Sequence, residues 1–281
     1  MKKQLRLVTI VGFVMLAAGI TTSYAQQPEK KLDWYLSAQT YSFNRFSFFE
    51  AVDKTLEAGL HSVEAYPGQK LGGGMEGTMD YKMDAAQRKA ILRALKKKKV
   101  KLCAFGVVNG NTEEEWKQIF EFAKAMGVKV INSEPDEKFM PLIGQLANQY
   151  KIKLGIHNHP QPSHYWDPKV VLAAVAKANS PYVGACADIG HWVRSGLDPV
   201  ASLKQYEGHL VSLHFKDLSE KSRNAHDVHW GTGVCDVKAV IAELKRQGFK
   251  GNISAEYEHN WENNVGDVAA SVKNFRAILT Q

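Results

Sequence analysis

The feature that most constrains the fold is an alternation of strand-like and helix-like segments, repeated about eight times between residues 35 and 279. Each short apolar run precedes a stretch with apolar residues at helical spacing. Three joints between a helix and the next strand are alike, at Ala58-Gly59-Leu60, Met126-Gly127-Val128 and Gln247-Gly248-Phe249. About eight such units without a linker predict an α/β protein that forms a single closed (β/α)8 barrel, or TIM barrel. A doubly wound open sheet is the alternative.

The first 25 residues have the pattern of an export signal. A basic start, an apolar core and a small-x-small cleavage site follow one another, at Lys2, Lys3 and Arg6, residues 7–20, and residues 23–25. The apolar run is short for a membrane span, and no Cys follows it to carry a lipid anchor. We therefore predict a signal peptide over residues 1–25, a barrel over residues 26–281, and a periplasmic or secreted protein without a stable membrane anchor. An uncleaved N-terminal anchor is the alternative.

The charge of the mature chain argues against nucleic acid as a partner. The whole chain carries a formal charge of +7, and residues 1–25 hold three positive and no negative charges, which leaves 7 − 3 = +4. That value is ordinary for a soluble protein of this size. The run Lys96-Lys97-Lys98-Lys99 ends a helical stretch, where lysines complement the helix dipole. Three cysteines, at 103, 186 and 235, are too few for a disulfide framework.

Polar residues follow the apolar strand segments at several points. Asp188-Ile189-Gly190-His191 and His214-Phe215-Lys216-Asp217 each come after such a segment. Residues 252–258 end in Glu256 and Glu258, which a period of two places on one face, and residues 128–134 end in Glu134. Because the carboxyl ends of parallel strands meet at one mouth, we expect Glu134, Asp188, His214 and Glu256 to converge there. Three carboxylates and one imidazole suit Mn²⁺ or Mg²⁺, with Co²⁺ or Zn²⁺ as alternatives.

Each candidate residue also has a structural interpretation. Glu134 precedes Pro135 and could simply begin a helix, and His157 could supply the fourth metal ligand in its place. Glu258 could be a base or could support Glu256. The further candidates for substrate contact are His157, His159, His191, Lys216, Glu64 and Trp230. Trp230, like Trp192, could stack on a sugar or pack within the barrel rim.

In this order, the segments resemble the xylose isomerase-like TIM-barrel superfamily, which includes sugar phosphate isomerases/epimerases, ketose 3-epimerases, inosose dehydratases and apurinic endonucleases. The resemblance covers nearly all of residues 26–281. It is carried by the two motifs at Asp188 and His214 together with Gln39-Thr40-Tyr41-Ser42, residues 59–64, Gly231-Thr232-Gly233 and Glu256-Tyr257-Glu258. It implies that Asp188, His214 and Glu256 are metal ligands and that His191 lies beside the metal and binds substrate.

The end of the fifth strand departs from one branch of that superfamily. Ketose 3-epimerases place a ligand glutamate there, whereas this sequence has His157. Inosose dehydratases have a histidine-rich end of strand five, and this chain is similar to them at residues 157–159. In such proteins the glutamate after strand four can be the ligand, which is Glu134 here.

The resemblance implies a metal-dependent isomerase or epimerase that acts on a small-molecule sugar. A carboxylate, namely Glu256, Glu134 or Glu258, would take a proton beside a metal-bound carbonyl and form an enediolate. One alternative is a keto-sugar lyase or dehydratase, since loss of a β-hydroxyl shares the first step. A non-catalytic sugar-binding barrel is a second alternative. Export and modest charge argue against an apurinic endonuclease. The sequence leaves the oligomeric state open, and a homo-oligomer is compatible with it.

The export signal can be tested by the mass of the exported protein. We expect cleavage after Ala25, which leaves Gln26 as the N-terminal residue, because a small residue at the last position suits the signal peptidase. Ala25→Arg keeps the basic start and the apolar core and should block cleavage. Intact-mass analysis of both exported proteins checks this. A mature protein that still contains residues 1–25 would contradict the prediction.

Overall fold

A computed structural model describes residues 27–281, and the predicted signal peptide lies outside the described residues. Within this part of the chain the strands are β1 (Trp34–Gln39), β2 (Ser62–Ala65), β3 (Lys70–Gly72), β4 (Met75–Thr78), β5 (Lys101–Phe105), β6 (Val130–Ser133), β7 (Lys153–His157), β8 (Val183–Asp188), β9 (Leu210–Phe215) and β10 (Gly251–Ala255). Eight of them form a closed parallel barrel in the order β1-β10-β9-β8-β7-β6-β5-β2. The predicted single TIM barrel is confirmed.

Helices lie between successive barrel strands and after the last one. They are α1 (Phe48–Glu57), α2 (Ala85–Lys98), α3 (Glu113–Met126), α4 (Met140–Tyr150), α5 (Pro168–Ala178), α6 (Ile189–Arg194), α7 (Pro199–Gln205), α8 (Val237–Arg246) and α9 (Val265–Leu279). Short 3-10 helices span Pro28–Leu32, Thr40–Phe43, Glu137–Phe139 and His164–Trp166. No helix in residues 27–281 is long and apolar enough to cross a membrane.

The helix starts follow the local signals of the sequence. Ser47 and Glu50 form a capping box at the start of α1, in which each side chain binds the backbone of the other. At α3, Thr112 accepts from the Glu115 amide, but the Glu115 carboxylate turns to the amide of Asn111 instead. Asp167 caps α5 with a proline at the first helical position. These caps stabilise helix ends that face solvent.

The glycine-rich segment after β2 has regular structure. It forms an antiparallel hairpin of β3 and β4, and Leu71 of this hairpin is fully buried in the core. Gly72 has a φ of 68°, and a Cβ built there would lie 2.5 Å from the Ser47 Cβ. The hairpin therefore packs closely on the start of α1, and glycine is needed both for the backbone conformation and for the space.

Two predicted strands end earlier than the sequence pattern indicates. β6 ends at Ser133 and β10 ends at Ala255, so Glu134, Glu256 and Glu258 lie in the loops just beyond the sheet. Their backbones leave the barrel wall at this point. Their side chains can therefore enter the mouth at the carboxyl end of the barrel, where TIM barrels carry their sites.

The packing of α4 on α5 can be tested by one methyl group. A Cβ at Gly144 would lie 1.9 Å from the Ala178 carbonyl oxygen, so the two helices must separate in Gly144→Ala. We expect a loss of about 1–3 kcal/mol in the free energy of unfolding, as in other overpacked cores. Gly266→Ala is the matched control, because a Cβ at this position in α9 has no atom within 4 Å.

The control should gain a few tenths to about 1 kcal/mol, since alanine favours a helix over glycine. Chemical denaturation of the mature protein measures both variants beside the unsubstituted chain. Equal effects of the two substitutions would show that α4 and α5 are not in close contact in solution.

Candidate functional site

Four side chains from consecutive barrel strands converge at the carboxyl end. His157 ends β7, Asp188 ends β8, His214 lies near the end of β9, and Glu256 directly follows β10. One ligand atom of each lies within 4.8 Å of the others. All four residues are buried, at 1%, 0%, 0% and 7% exposure. We call these residues the quartet. Its make-up, two imidazoles and two carboxylates, is that of a transition-metal site.

Two atoms of the quartet are suited to bind a cation. His157 Nε2 and Asp188 Oδ2 lie 3.7 Å apart. Both are fully buried and have no hydrogen-bond partner among the described residues. The Lys216 ammonium lies 3.1 Å from Asp188 Oδ2 as an ion pair, without the geometry of a hydrogen bond. Because buried polar atoms without partners are costly, a metal ion that binds both atoms fits this arrangement.

His214 is oriented from below by a buried glutamate. Its Nε2 donates to Glu64 Oε1 at 2.9 Å, and Glu64 is also held by Asn132 Nδ2 at 2.7 Å and by the Ser254 hydroxyl. His214 Nδ1 then faces Glu256 Oε2 at 3.0 Å. A carboxylate behind a ligating histidine sets the tautomer and the ring orientation.

This position corrects the expectation that Glu64 contacts the substrate. Glu64 is fully buried beneath the quartet, so a sugar in the mouth cannot reach it. The same carboxylate also acts on the charge of His214. Burial lowers the pKa of His214, but the neighbouring Glu64 and Glu256 outweigh burial and hold that pKa well above its ordinary value. The raised pKa means that His214 readily holds a second proton. A cation bound by His214 would take the place of that proton.

Lys216 is also fully buried and holds carboxylates rather than lining the mouth. Its Nζ contacts Glu256 and lies 3.5 Å from Glu258. Burial lowers the pKa of Lys216, but the carboxylates of Asp188 and Glu256 raise it well above the ordinary value, so the amine stays charged. Three buried carboxylates, of Glu64, Asp188 and Glu256, against one ammonium leave 3 − 1 = 2 negative charges. A divalent cation, or protons on the histidines, would balance them.

Glu134 lies outside the quartet, behind His157. Its Oε1 is 3.3 Å from His157 Nδ1 and accepts from the His159 amide at 2.9 Å, and its Oε2 accepts from the Ser163 hydroxyl at 3.0 Å. Burial raises the pKa of Glu134, but the hydrogen bonds of His157 and His159 lower it well below the usual range. The sequence left Glu134 and His157 as alternatives for the fourth ligand. The geometry brings His157 into the quartet, whereas Glu134 forms a separate group with His157 and His159, whose possible ligand atoms also lie within 4.8 Å of one another.

Two further histidines lie beside the quartet at the mouth. The His159 side chain is 47% exposed, and its ring centroid is 4.6 Å from that of His157. His191 Nε2 lies 3.5 Å from Asp188 Oδ2. Burial lowers the pKa of His191 well below the ordinary value, so this ring is neutral and can donate or accept a hydrogen bond. Both residues therefore lie beside the quartet, and their contact with substrate stays a prediction.

Arg194, which the sequence analysis missed, organises the other side of the mouth. Its guanidinium donates to Glu258 Oε2 and to Asp227 Oδ1, both at 2.8 Å. Glu258 is therefore held by two cations beside the quartet and is not part of it. One signal was available in the sequence, because Arg194 lies three residues after His191 and shares its helical face.

The tryptophans chosen from the sequence belong to the core, which corrects that expectation. Trp230 is 1% exposed, and its ring packs against Phe215 and Phe275 at centroid distances of 4.8 and 5.7 Å. Trp192 is fully buried against Tyr206. No face of either indole is open to a sugar. A different aromatic group reaches the mouth, made of Tyr41, Tyr66 and Trp261.

The chain matches known proteins over most of its length. Residues 52–278 match the family model of the xylose isomerase-like TIM barrel. An uncharacterised protein of Parabacteroides distasonis is 36% identical, with 86% of this chain and 98% of that chain covered and a TM-score of 0.71. No curated protein matches the chain.

Two further solved structures are similar in fold alone, since both are 17% identical to this chain. One is a D-tagatose 3-epimerase-like protein, with a TM-score of 0.70 and coverage of 88% of this chain and 97% of that chain. The other is a probable 3-DHS dehydratase of Bacillus anthracis, with a TM-score of 0.65 and coverage of 88% and 99%. The family model and the closed barrel agree with the resemblance seen in the sequence. The chain belongs to the xylose isomerase-like TIM-barrel family.

Proposed function

We propose that this protein is a metal-dependent isomerase or epimerase of a carbohydrate, which acts by proton transfer next to a carbonyl. The observation that carries the proposal is the convergence of His157, Asp188, His214 and Glu256, with two of their buried atoms lacking a partner within the described chain. A family that contains sugar epimerases supports it. We retain export to the periplasm or outside, and a small-molecule sugar as the partner, as parts of this proposal.

The quartet determines which ion we propose. Two imidazoles in place of one make the site less favourable for Mg²⁺ than the sequence indicated, and they suit Mn²⁺, Co²⁺ or Zn²⁺. Mn²⁺ is our first choice, since two carboxylates remain in the set. A divalent ion held there would supply Lewis-acid polarisation of a sugar carbonyl.

The residues that move the proton lie on opposite sides of the mouth. Glu256 follows β10 and Glu134 follows β6, and these strands are four places apart in a barrel of eight. We propose that Glu256 takes the proton from the carbon next to the carbonyl, which forms an enediolate. The pair of Glu134 and His159 returns a proton from the other side. Return to the same carbon from the opposite face is epimerisation, and return to the neighbouring carbon is isomerisation.

A keto-sugar dehydratase is the second candidate, and the end of β7 favours it. His159 and His191 lie beside His157 of the quartet, and the three rings form a histidine-rich wall. A neutral imidazole such as His191 can donate a hydrogen bond to the oxygen of a leaving hydroxyl, which an ionised carboxylate cannot do. Elimination shares the first proton abstraction with epimerisation, so the same residues serve both reactions. A sugar-binding barrel without catalysis remains the alternative from another class.

The quartet can be tested by metal affinity. We expect His157→Ala, Asp188→Ala and His214→Ala each to lose about tenfold or more in Mn²⁺ affinity, because each removes one ligand atom. Glu134→Gln should lose less, since it removes only the support behind His157. Calorimetric titration of the purified mature protein, with metal content measured in parallel, gives these values.

His164→Ala is the matched control, because its imidazole is 62% exposed and pairs with Glu137 away from the quartet. It should bind Mn²⁺ as the unsubstituted protein does. Full occupancy in Asp188→Ala and His214→Ala would place the ligands elsewhere. A larger loss in Glu134→Gln than in His157→Ala would make Glu134 the ligand.

The first chemical step can be tested by deuterium exchange in D₂O. A panel of aldoses, ketoses and 3-keto-sugars, free and glycosidic, is followed by NMR with Mn²⁺, Co²⁺, Zn²⁺ and Mg²⁺ in turn. We expect deuterium at the carbon next to the carbonyl only when metal is present. The exchange rate should fall by about a hundredfold or more in Glu256→Gln, which damages both the base and the quartet. Glu258→Gln should have a smaller effect, because Glu258 lies outside the quartet.

Two results would count against this mechanism. Product without deuterium at carbon would indicate a proton that never reaches solvent or a hydride shift. The absence of exchange and of product with every metal, together with sugar binding that is unchanged in EDTA, would favour the binding barrel.

A further inference from the structure

An aromatic cluster lines the mouth on the side away from the histidine wall. The ring of Tyr41 meets Tyr66 edge-on at a centroid distance of 5.1 Å and Trp261 edge-on at 5.9 Å. Tyr41 is 40% exposed, and Tyr66 and Trp261 are partly exposed. We call these three residues the aromatic rim. None of them is used by the quartet or by the proposed proton transfer.

The aromatic rim lies at the same end of the barrel as the quartet. Tyr41 follows β1, Tyr66 follows β2 and Trp261 is in the loop after β10, and these three strands are neighbours in the barrel. Glu256 and Trp261 are five residues apart in that loop. The strand order therefore places the aromatic rim beside Glu256 and across the mouth from β6 and β7.

Hydrogen bonds attach the aromatic rim to the loop that carries Glu256. Ser42, next to Tyr41, accepts from the Tyr257 amide at 2.9 Å through its hydroxyl. Asn264 Nδ2 donates to the Ser42 carbonyl at 2.6 Å. Ser42 and Asn264 are both buried. The contact between the β1 and β10 loops is thus pre-formed, and the rings are held in place before a ligand arrives.

We propose that the aromatic rim is a second sugar subsite, so that the substrate is a glycoside whose reacting ring lies on the quartet and whose second ring stacks on Tyr41 and Trp261. This inference rests on the proposed function, because it takes the occupant of the mouth to be a carbohydrate. The C–H face of a pyranose is apolar and packs on aromatic rings, while its hydroxyls remain in water.

Burial separates the two subsites. The quartet is almost completely buried, so a sugar ring that reaches it leaves bulk water. The Tyr41 ring stays exposed at the edge of the mouth, and a ligand ring on it keeps one face in solvent. These are two different environments for a ligand ring. A molecule with two linked rings fits both, because its first ring is enclosed and its second ring is half covered.

Binding of plain sugars tests the second subsite without relying on catalysis. Glucose, methyl β-glucoside, cellobiose and maltose are titrated into the mature protein with Mn²⁺ present, by calorimetry and by tryptophan fluorescence. We expect at least one disaccharide to bind about tenfold more tightly than methyl β-glucoside, because the second ring adds stacking contacts. Trp261→Ala and Tyr41→Ala should each bring this ratio down to about one.

Tyr35→Ala is the matched control. Tyr35 is a more exposed tyrosine, at 56%, and it lies near the start of β1, at the opposite end of the barrel from Tyr41, which follows that strand. It should keep the full disaccharide preference. Circular dichroism and the melting temperature check that each variant folds.

The proposal is overturned if no disaccharide binds more tightly than methyl β-glucoside, or if the preference survives both rim substitutions. Failure of the proposed function gives a different result. In that case the disaccharide preference and its loss in the rim variants persist, but no sugar in the panel exchanges deuterium with any metal. Deuterium exchange without a preference for disaccharides would contradict the second subsite but would still support the isomerase proposal.

Discussion

The arrangement of the mouth depends on negative charge that is buried inside the barrel. Glu64, Asp188 and Glu256 are almost fully removed from solvent, and Lys216 is buried with them. Buried carboxylates are stable only when cations and hydrogen bonds surround them. One ammonium is not enough for three carboxylates, so this part of the barrel is built to take up further positive charge. His157 Nε2 and Asp188 Oδ2, which have no hydrogen-bond partner among the described residues, mark the place that suits a cation.

The side chains around the quartet are held by pairs in which one residue orients another. Glu64 lies behind His214, and Glu134 lies behind His157. Each carboxylate occupies one ring nitrogen and leaves the other to face the quartet. Such support behind a ligand is a common feature of metal sites and matters for affinity. It also gives the buried Glu64 a structural role that does not involve the substrate.

The mouth has two unlike walls. Histidines from the loops after β7 and β8 line one side, and the aromatic rim lines the side of β1, β2 and β10. A sugar has polar hydroxyls at its edge and apolar C–H faces, so walls of both kinds suit it. The proton-transfer groups that we propose, Glu256 and Glu134, lie on opposite sides of the same opening. This division of the mouth is the basis of both proposals.

The sequence by itself determined the barrel and the end of the barrel at which the candidate site lies. Helix periodicity, N-caps and apolar strand segments are local signals, and they predicted the order of the elements. The polar ends of the strands located Asp188, His214 and Glu256, because parallel strands in a barrel end at one mouth. The burial of those three residues together agrees with that reading of the sequence.

Only the tertiary structure decided which of the neighbouring side chains belong to the quartet and which lie around it. His157 is the last residue of β7, and its side chain points into the quartet. Glu134 is one residue beyond the end of β6, and its side chain lies behind His157. Glu64 lies on a strand of four residues, too short for alternation to reveal that it points into the barrel. Trp230 is buried because α9 brings Phe275 against it from 45 residues away. Contacts between distant segments settle these positions, and no local pattern in the sequence contains them.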